Sequence, residues 1–341
     1  MWRYNHTLSE WEGTRIRNEL QKDRRVSNSH ISRDPRRRRS ARVISPAREW
    51  SWQGPIVDHH IHLDKSGQGI EAAKAFKASG GTSILLVHKP KFSSLPIDGE
   101  GYRAAYSSTL EMADHIRKKV DIGVGVILGP HPVAWDHQAD EIGVQAASEI
   151  HLEAVSIALD HVNERDAVGL GEVGRPHYAV SEERWEYAND LLIDVLKMAN
   201  EDDSAVQLHV EENGEETCRT IDAIRSKSGL DRKKTVRHYA PPNLSDTFRS
   251  KLPCTVSVGR GSITQIIESW NEGAAYWGME TDYLDDPRRP GAVLGPRTVP
   301  RRTKELCDEW IGSGKKEQTL DELLHRVNRD WIESIYDWSP D

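Results

Sequence analysis

From residue 55 onward the chain alternates short apolar, β-branched runs with longer stretches whose apolar positions recur at helical spacing. Short apolar runs suit strands buried on both faces, and the longer stretches suit helices packed over them, so the rhythm is that of parallel βα units. Residues 56–63, 82–87, 122–128, 167–173, 205–210, 235–239, 255–258 and 274–280 read as strands. Residues 70–78, 102–119, 142–162, 182–199, 215–227, 244–252 and 263–270 read as the helices between them. Eight βα repeats in about 230 residues predict an α/β fold, a closed (β/α)8 TIM barrel. A doubly wound open sheet would bring a Gly-rich phosphate turn after its first strand, and none is present. After the eighth strand, a Pro/Gly/Arg-rich segment, 287–300, leads to helices near 302–311 and 320–336, expected to close the barrel and cover one side.

Composition supports this picture. The 341 residues are 37% hydrophobic and 29% charged, enough for a large core under a polar surface. No apolar run approaches a membrane span, and Met1 is followed by a polar, Arg-rich stretch without a signal-peptide layout. Cys218, Cys254 and Cys307 are odd in number and far apart, so they read as reduced thiols of a cytoplasmic protein. Charge divides the chain. Residues 1–50 hold 13 Lys+Arg against 6 Asp+Glu, a balance of +7, and the rest holds 33 against 48, or −15. Residues 1–50 therefore read as a basic, disordered arm or a mis-assigned start, and 51–341 as the barrel domain. The acidic body argues against broad wrapping of nucleic acid.

Chemistry gathers where the strands end. Asp58-His59-His60-Ile61-His62-Leu63-Asp64 ends the first, and alternation puts His60 and His62 on one face, with His59 on the other. His88 ends the second and Gly129-Pro130-His131-Pro132 the third. Glu172 ends the fourth, His209 the fifth, His238 the sixth, and Glu280-Thr281-Asp282 the eighth. A barrel brings these ends to one rim, where active sites are built. Singly, each residue is as well explained by structure. Jointly, His60, His62 and Asp282 suit one divalent ion, His209 and His238 a second, and Glu172 a bridge between them. Mixed His/carboxylate ligation suits Zn²⁺ or Mn²⁺ and is too nitrogen-rich for Ca²⁺. Asp282 is also placed to take a proton from a metal-activated water.

These motifs resemble the TatD family of metal-dependent hydrolases within the amidohydrolase-like barrels. The resemblance spans about residues 55–300. It rests on Asp58-x-His60-x-His62-Leu63-Asp64, residues 129–132, Gly171-Glu172-Val173-Gly174, His209, His238, residues 280–282 and the later Arg289-Pro290-Gly291…Pro296. It implies two divalent ions (Zn, Mn or Mg), catalytic roles for Asp282 and Glu172, and DNase activity, often 3′-to-5′ exonuclease, on DNA or a small phosphodiester. Three substrate-facing loops depart from the family pattern: Arg175-Pro176-His177-Tyr178, Tyr239-Ala240-Pro241-Pro242 and Tyr283-Leu284. The chain thus reads as a divergent, archaeal-type branch.

His88, His131, Arg175 and His177 are candidate substrate contacts on the same rim, Arg175 for its match to phosphate. Lys65 is a phosphate contact or a solvated charge, and Glu211 a partner orienting a ligand histidine. Two other functions fit the sequence: an amidohydrolase-type enzyme acting on a small-molecule amide, carboxyl ester or lactone, and a non-catalytic metal-binding or nucleic-acid-binding protein using its basic arm.

Overall fold

The computed structural model describes residues 51–286 and 293–340. The basic arm, 1–50, and the motif residues Arg289, Pro290 and Gly291 lie outside the described residues. Eight parallel strands follow one another in chain order. They are β1 (Val57–Ile61), β2 (Ser83–Val87), β3 (Gly123–Leu128), β4 (Gly169–Gly174), β5 (Val206–His209), β6 (Thr235–Ala240), β7 (Cys254–Ser257) and β8 (Trp277–Glu280). The expected barrel is therefore observed.

The ring closes where β8 runs out beside β1. The Asp282 amide donates to the His60 carbonyl at 3.0 Å, and the His62 amide donates to the Tyr283 carbonyl at 2.9 Å. Asp58 clamps the same seam: it accepts from the Thr281 amide at 3.0 Å and the Thr281 hydroxyl at 2.6 Å. These bonds occupy the Asp58 carboxylate, so it faces the seam and not the rim cluster. Burial pushes its carboxyl up to about 7, against the lowering effect of Thr281 and the His60 amide.

Between strands lie α1 (Ile70–Lys77), α2 (Gly99–Val120), α3 (Pro132–Ile142), α4 (Val144–Asn163), α5 (Glu182–Glu201), α6 (Glu215–Ser228), α7 (Asp246–Arg249) and α8 (Ser262–Ser269). The helix expected over 142–162 is observed as α4, and α3, over residues for which the sequence predicts no helix, precedes it. Gly143, at φ 88°, breaks them apart. His131 caps α3 and Pro132 opens it, the one place where a helix loses nothing to proline's missing N–H. The helix expected over 244–252 shrinks to the four residues of α7, and β8 starts three residues later than expected.

Strand alternation divides the apolar residues. Ile84, Leu86, Val126 and Leu128 pack against the helices, while Leu85, Val87 and Ile127 belong with the C-terminal segment. That segment comprises α9 (Thr298–Gly312), α10 (Glu317–His325), a five-residue π turn at Arg326–Asp330 and α11 (Trp331–Tyr336). The π turn interrupts the helix expected over 320–336. It points Asn328 at the first strand, where its side-chain oxygen accepts from the Val57 amide at 3.0 Å. The segment thus caps the end of the barrel opposite the histidines, as expected of helices covering one side. Cys218, Cys254 and Cys307 are free and buried. Among the described residues no helix is long and apolar enough to cross a membrane.

Candidate metal centre

The strand ends bring the six predicted ligands into one cluster. The Nε2 atoms of His60 and His62 face each other at 3.2 Å. One oxygen of Glu172, Oε2, lies 3.8 Å and 3.4 Å from them, and Asp282 Oδ1 lies 3.9 Å and 3.5 Å away. The other oxygen, Oε1, is 2.8 Å from His209 Nδ1 and 2.7 Å from His238 Nε2. Those two nitrogens are 3.0 Å apart. Glu172 therefore divides its oxygens between two pairs of imidazoles.

The outer hydrogen bonds fix how the first pair is protonated. His62 Nδ1 lies 2.9 Å from the Val87 carbonyl, which can only accept. His60 Nδ1 lies 2.7 Å from Gln207 Oε1, also an acceptor. Both rings therefore carry their proton on Nδ1 when neutral, and both Nε2 lone pairs point at one another. Two lone pairs at that distance repel unless a proton on one ring or a cation beside both lies between them. A divalent cation held also by Asp282 and Glu172 satisfies the arrangement, and the donor set fits Zn²⁺ or Mn²⁺. The second pair is backed by Glu280, whose Oε1 is 3.7 Å from His238 Nδ1 and accepts from the Tyr239 amide at 2.6 Å.

Local backbone serves these placements. Asp282 and Tyr239 hold positive φ, 48° and 52°. For non-glycine residues this costs about 1–2 kcal/mol each. At Gly174 a Cβ would collide with the His209 carbonyl, so only glycine lets β4 and β5 approach here.

Charge accumulates in this cluster. Burial alone would raise the Glu172 carboxyl, but the charges of His238 and His60 and hydrogen bonds from His209 and His238 hold it well below the usual range. Asp282 is likewise lowered: burial is outweighed by a hydrogen bond from His62 and the charges of His60 and His238. His62 and His238 move up from 6.5, because the facing carboxylates outweigh burial. In the metal-free chain these two imidazoles therefore keep protons that an ion would have to displace. A raised pKa means protonation below it, so competition grows on the acid side and vanishes above it. Zn²⁺ affinity is expected to weaken as pH falls through these raised values, by up to about tenfold per unit for each proton displaced. Calorimetry in buffers of different ionisation heat reads the protons released, and pH-independent affinity without proton release would contradict the assignment.

Three of the four candidate substrate residues reach the cluster. His88 sits near His62 and is tied to Thr109 Oγ1 at 2.9 Å, and burial together with the His62 charge lowers it to about 4. The His131 ring lies 4.4 Å from that of His209. His177 Nδ1 lies 2.7 Å from His209 Nε2.

Arg175 is different. It turns away from the rim and is buried. It donates to both Glu211 oxygens at 2.7 Å and 2.5 Å, to Asn189 at 2.9 Å and to Thr220 at 2.8 Å, and stacks on Trp185. It is a structural anchor between β4, α5 and α6, not a phosphate contact. Glu211 is consequently Arg175's partner and does not orient a ligand histidine. Lys65 is a solvated charge paired with Glu111 at 2.5 Å. His59 packs against Gly278, away from the cluster, and burial lowers it to about 4. Sequence reasoning missed two residues that touch ligands, Glu280 and Gln207. The available signal was position: Gln207 is two residues before His209 and shares its face of β5.

A parallel (β/α)8 barrel whose strand ends gather imidazoles and carboxylates able to hold divalent ions defines a metal-dependent barrel hydrolase. The chain belongs to the TatD family: the family model described as "TatD related DNase" matches residues 57–325. An uncharacterized protein of Methanocaldococcus jannaschii is 31% identical over 287 residues, 83% of this chain and 96% of that protein. Among solved structures, a TatD homolog from Escherichia coli K12 matches with TM-score 0.55 at 18% identity, covering 83% of this chain and 98% of that one. A TatD family hydrolase from Entamoeba histolytica matches with TM-score 0.50 at 11% identity, covering 83% and 98%. At these identities the two structures speak for the fold.

Proposed function

We propose that the protein hydrolyses phosphodiester bonds, in DNA or a smaller phosphodiester, using two divalent ions. The observation that carries this reading is the division of Glu172's oxygens between the His60/His62 and His209/His238 pairs. His60, His62 and Asp282 would hold one ion, His209 and His238 the other, and Glu172 would reach both. Bound ions supply positive charge against phosphoryl oxygens and a water acidic enough to attack near neutral pH.

The chain's own residues supply the rest. Asp282, held ionised by its histidine neighbours, accepts the proton of the attacking water. His131 Nδ1 accepts from the Val133 amide at 3.0 Å, so the proton of its neutral ring lies on Nε2. Burial keeps that ring neutral, with the His209 charge adding to the effect. His131 is thereby a fixed donor for a phosphoryl or leaving-group oxygen. Two partly exposed aromatics flank the cluster: Tyr239, directly after His238, and Phe92, whose ring meets His131. They offer faces on which nucleobases can stack.

Hydrolysis of bis-p-nitrophenyl phosphate and of a single-stranded oligonucleotide, with Mg²⁺, Mn²⁺ or Zn²⁺, tests the proposal. Metal-dependent turnover of either is the expected result. Turnover of amides or lactones alone would select the amidohydrolase reading instead.

A further inference from the structure

Gln207 is fully buried on β5, and its side chain joins two other elements, β1 and α11. Its amide nitrogen donates to the His59 carbonyl at 3.1 Å and to the Tyr336 hydroxyl at 2.9 Å. Its carbonyl oxygen faces His60 Nδ1 at 2.7 Å. The orientation is forced, because a flipped amide would set its oxygen against the His59 carbonyl, acceptor against acceptor. Tyr336 belongs to α11, in the cap at the far end of the barrel. The chain of contacts therefore runs from the C-terminal segment, through Gln207, to the ring nitrogen opposite the one offered to the ion. Orientation of a metal-binding histidine through its second nitrogen is how such sites fix both tautomer and ring direction.

We propose that Gln207 and Tyr336 are positioning residues: they hold His60 in the Nδ1–H tautomer and thereby couple the C-terminal helices to the first ion's site. The inference rests on the reading of His60 as a ligand. It extends that reading to two side chains that touch no substrate or ion. Without Gln207 the His60 Nδ1–H has no acceptor, and the ring gains nothing by keeping its proton there. Without the Tyr336 hydroxyl, Gln207 is pinned by the His59 carbonyl alone. A buried network of this kind is costly to leave half-satisfied, so the loss is transmitted along it.

The test compares wild type with Gln207→Leu and Tyr336→Phe, using Zn²⁺ titration by calorimetry. It also uses ¹⁵N spectra of His60 in the metal-free chain, followed through a pH series into the alkaline range until they no longer change. The expected result for Gln207→Leu is an affinity about 10–100-fold lower at one site, with His60 shifted away from the Nδ1–H tautomer. For Tyr336→Phe, which keeps the ring's packing, the expected loss is up to about tenfold with a partial tautomer shift. Wild-type affinity and an unchanged His60 tautomer in both variants would overturn the proposal. So would weaker binding with the tautomer unchanged, since that marks a packing defect only. If Gln207→Leu does not fold, Tyr336→Phe decides. Failure of the wild type to bind Zn²⁺ would sink the metal-centre reading, and the tautomer measurement separates that outcome from failure of the positioning role.

Discussion

Glu172→Ala is expected to lower bound divalent metal from two ions per chain to one or none and to cut metal-dependent phosphodiester hydrolysis by at least about a thousandfold. The second figure follows from the several kcal/mol that a charge-stabilising ion contributes to such a transition state. The cause is geometric. Both carboxylate oxygens are in use, one beside His60 and His62, the other beside His209 and His238. Alanine removes both at once and leaves four imidazoles without the anion between them. Elemental analysis after gel filtration checks the first part. Two ions retained per chain would refute the bridging role.

Arg175→Leu is expected to act on stability rather than on substrate binding. The guanidinium is buried and joined to Glu211, Asn189 and Thr220. Removing one partner of such a network costs about 3–5 kcal/mol when both charges are deeply buried. Glu211 retains partial exposure, 20% of its side chain, so a loss of about 3 kcal/mol is the better expectation. Urea unfolding should show this loss, with KM for a phosphodiester close to wild type. A variant of native stability with a strongly raised KM would restore the phosphate-contact role.

The contrast between these two residues shows what the sequence could reveal. Parallel strands are buried on both faces, so their apolar runs stand out, and their ends mark where a barrel's rim must lie. Period-two alternation then selects His60 and His62 over His59, and the structure places them so. What the pattern does not carry is direction beyond a strand's end. Arg175 directly follows Gly174 at the rim, yet its long side chain runs back to Trp185, Asn189 and Thr220 on neighbouring helices. Helix α3 stayed hidden because Pro-His-Pro resembles a turn and because its buried face includes polar Asp136 and Gln138. Asp136 is met by Tyr178 and Arg184, and the Gln138 side-chain nitrogen donates to the Pro96 carbonyl, all distant in sequence. Gln207 and Glu280 carried only the signal of their positions near strand ends, and their partners, long stretches of chain away, could not be read from those positions.

The Asn328 contact bears on how the protein is made. The leading amide of the first strand waits for an acceptor 271 residues downstream, and Gln207 waits 129 residues for Tyr336. On a ribosome, all eight strands emerge before either partner exists. The bond that anchors the start of the first strand and the pinning of Gln207 behind His60 are therefore late events in synthesis, and a nascent chain stalled before residue 328 lacks both the Asn328 acceptor and the Tyr336 hydroxyl.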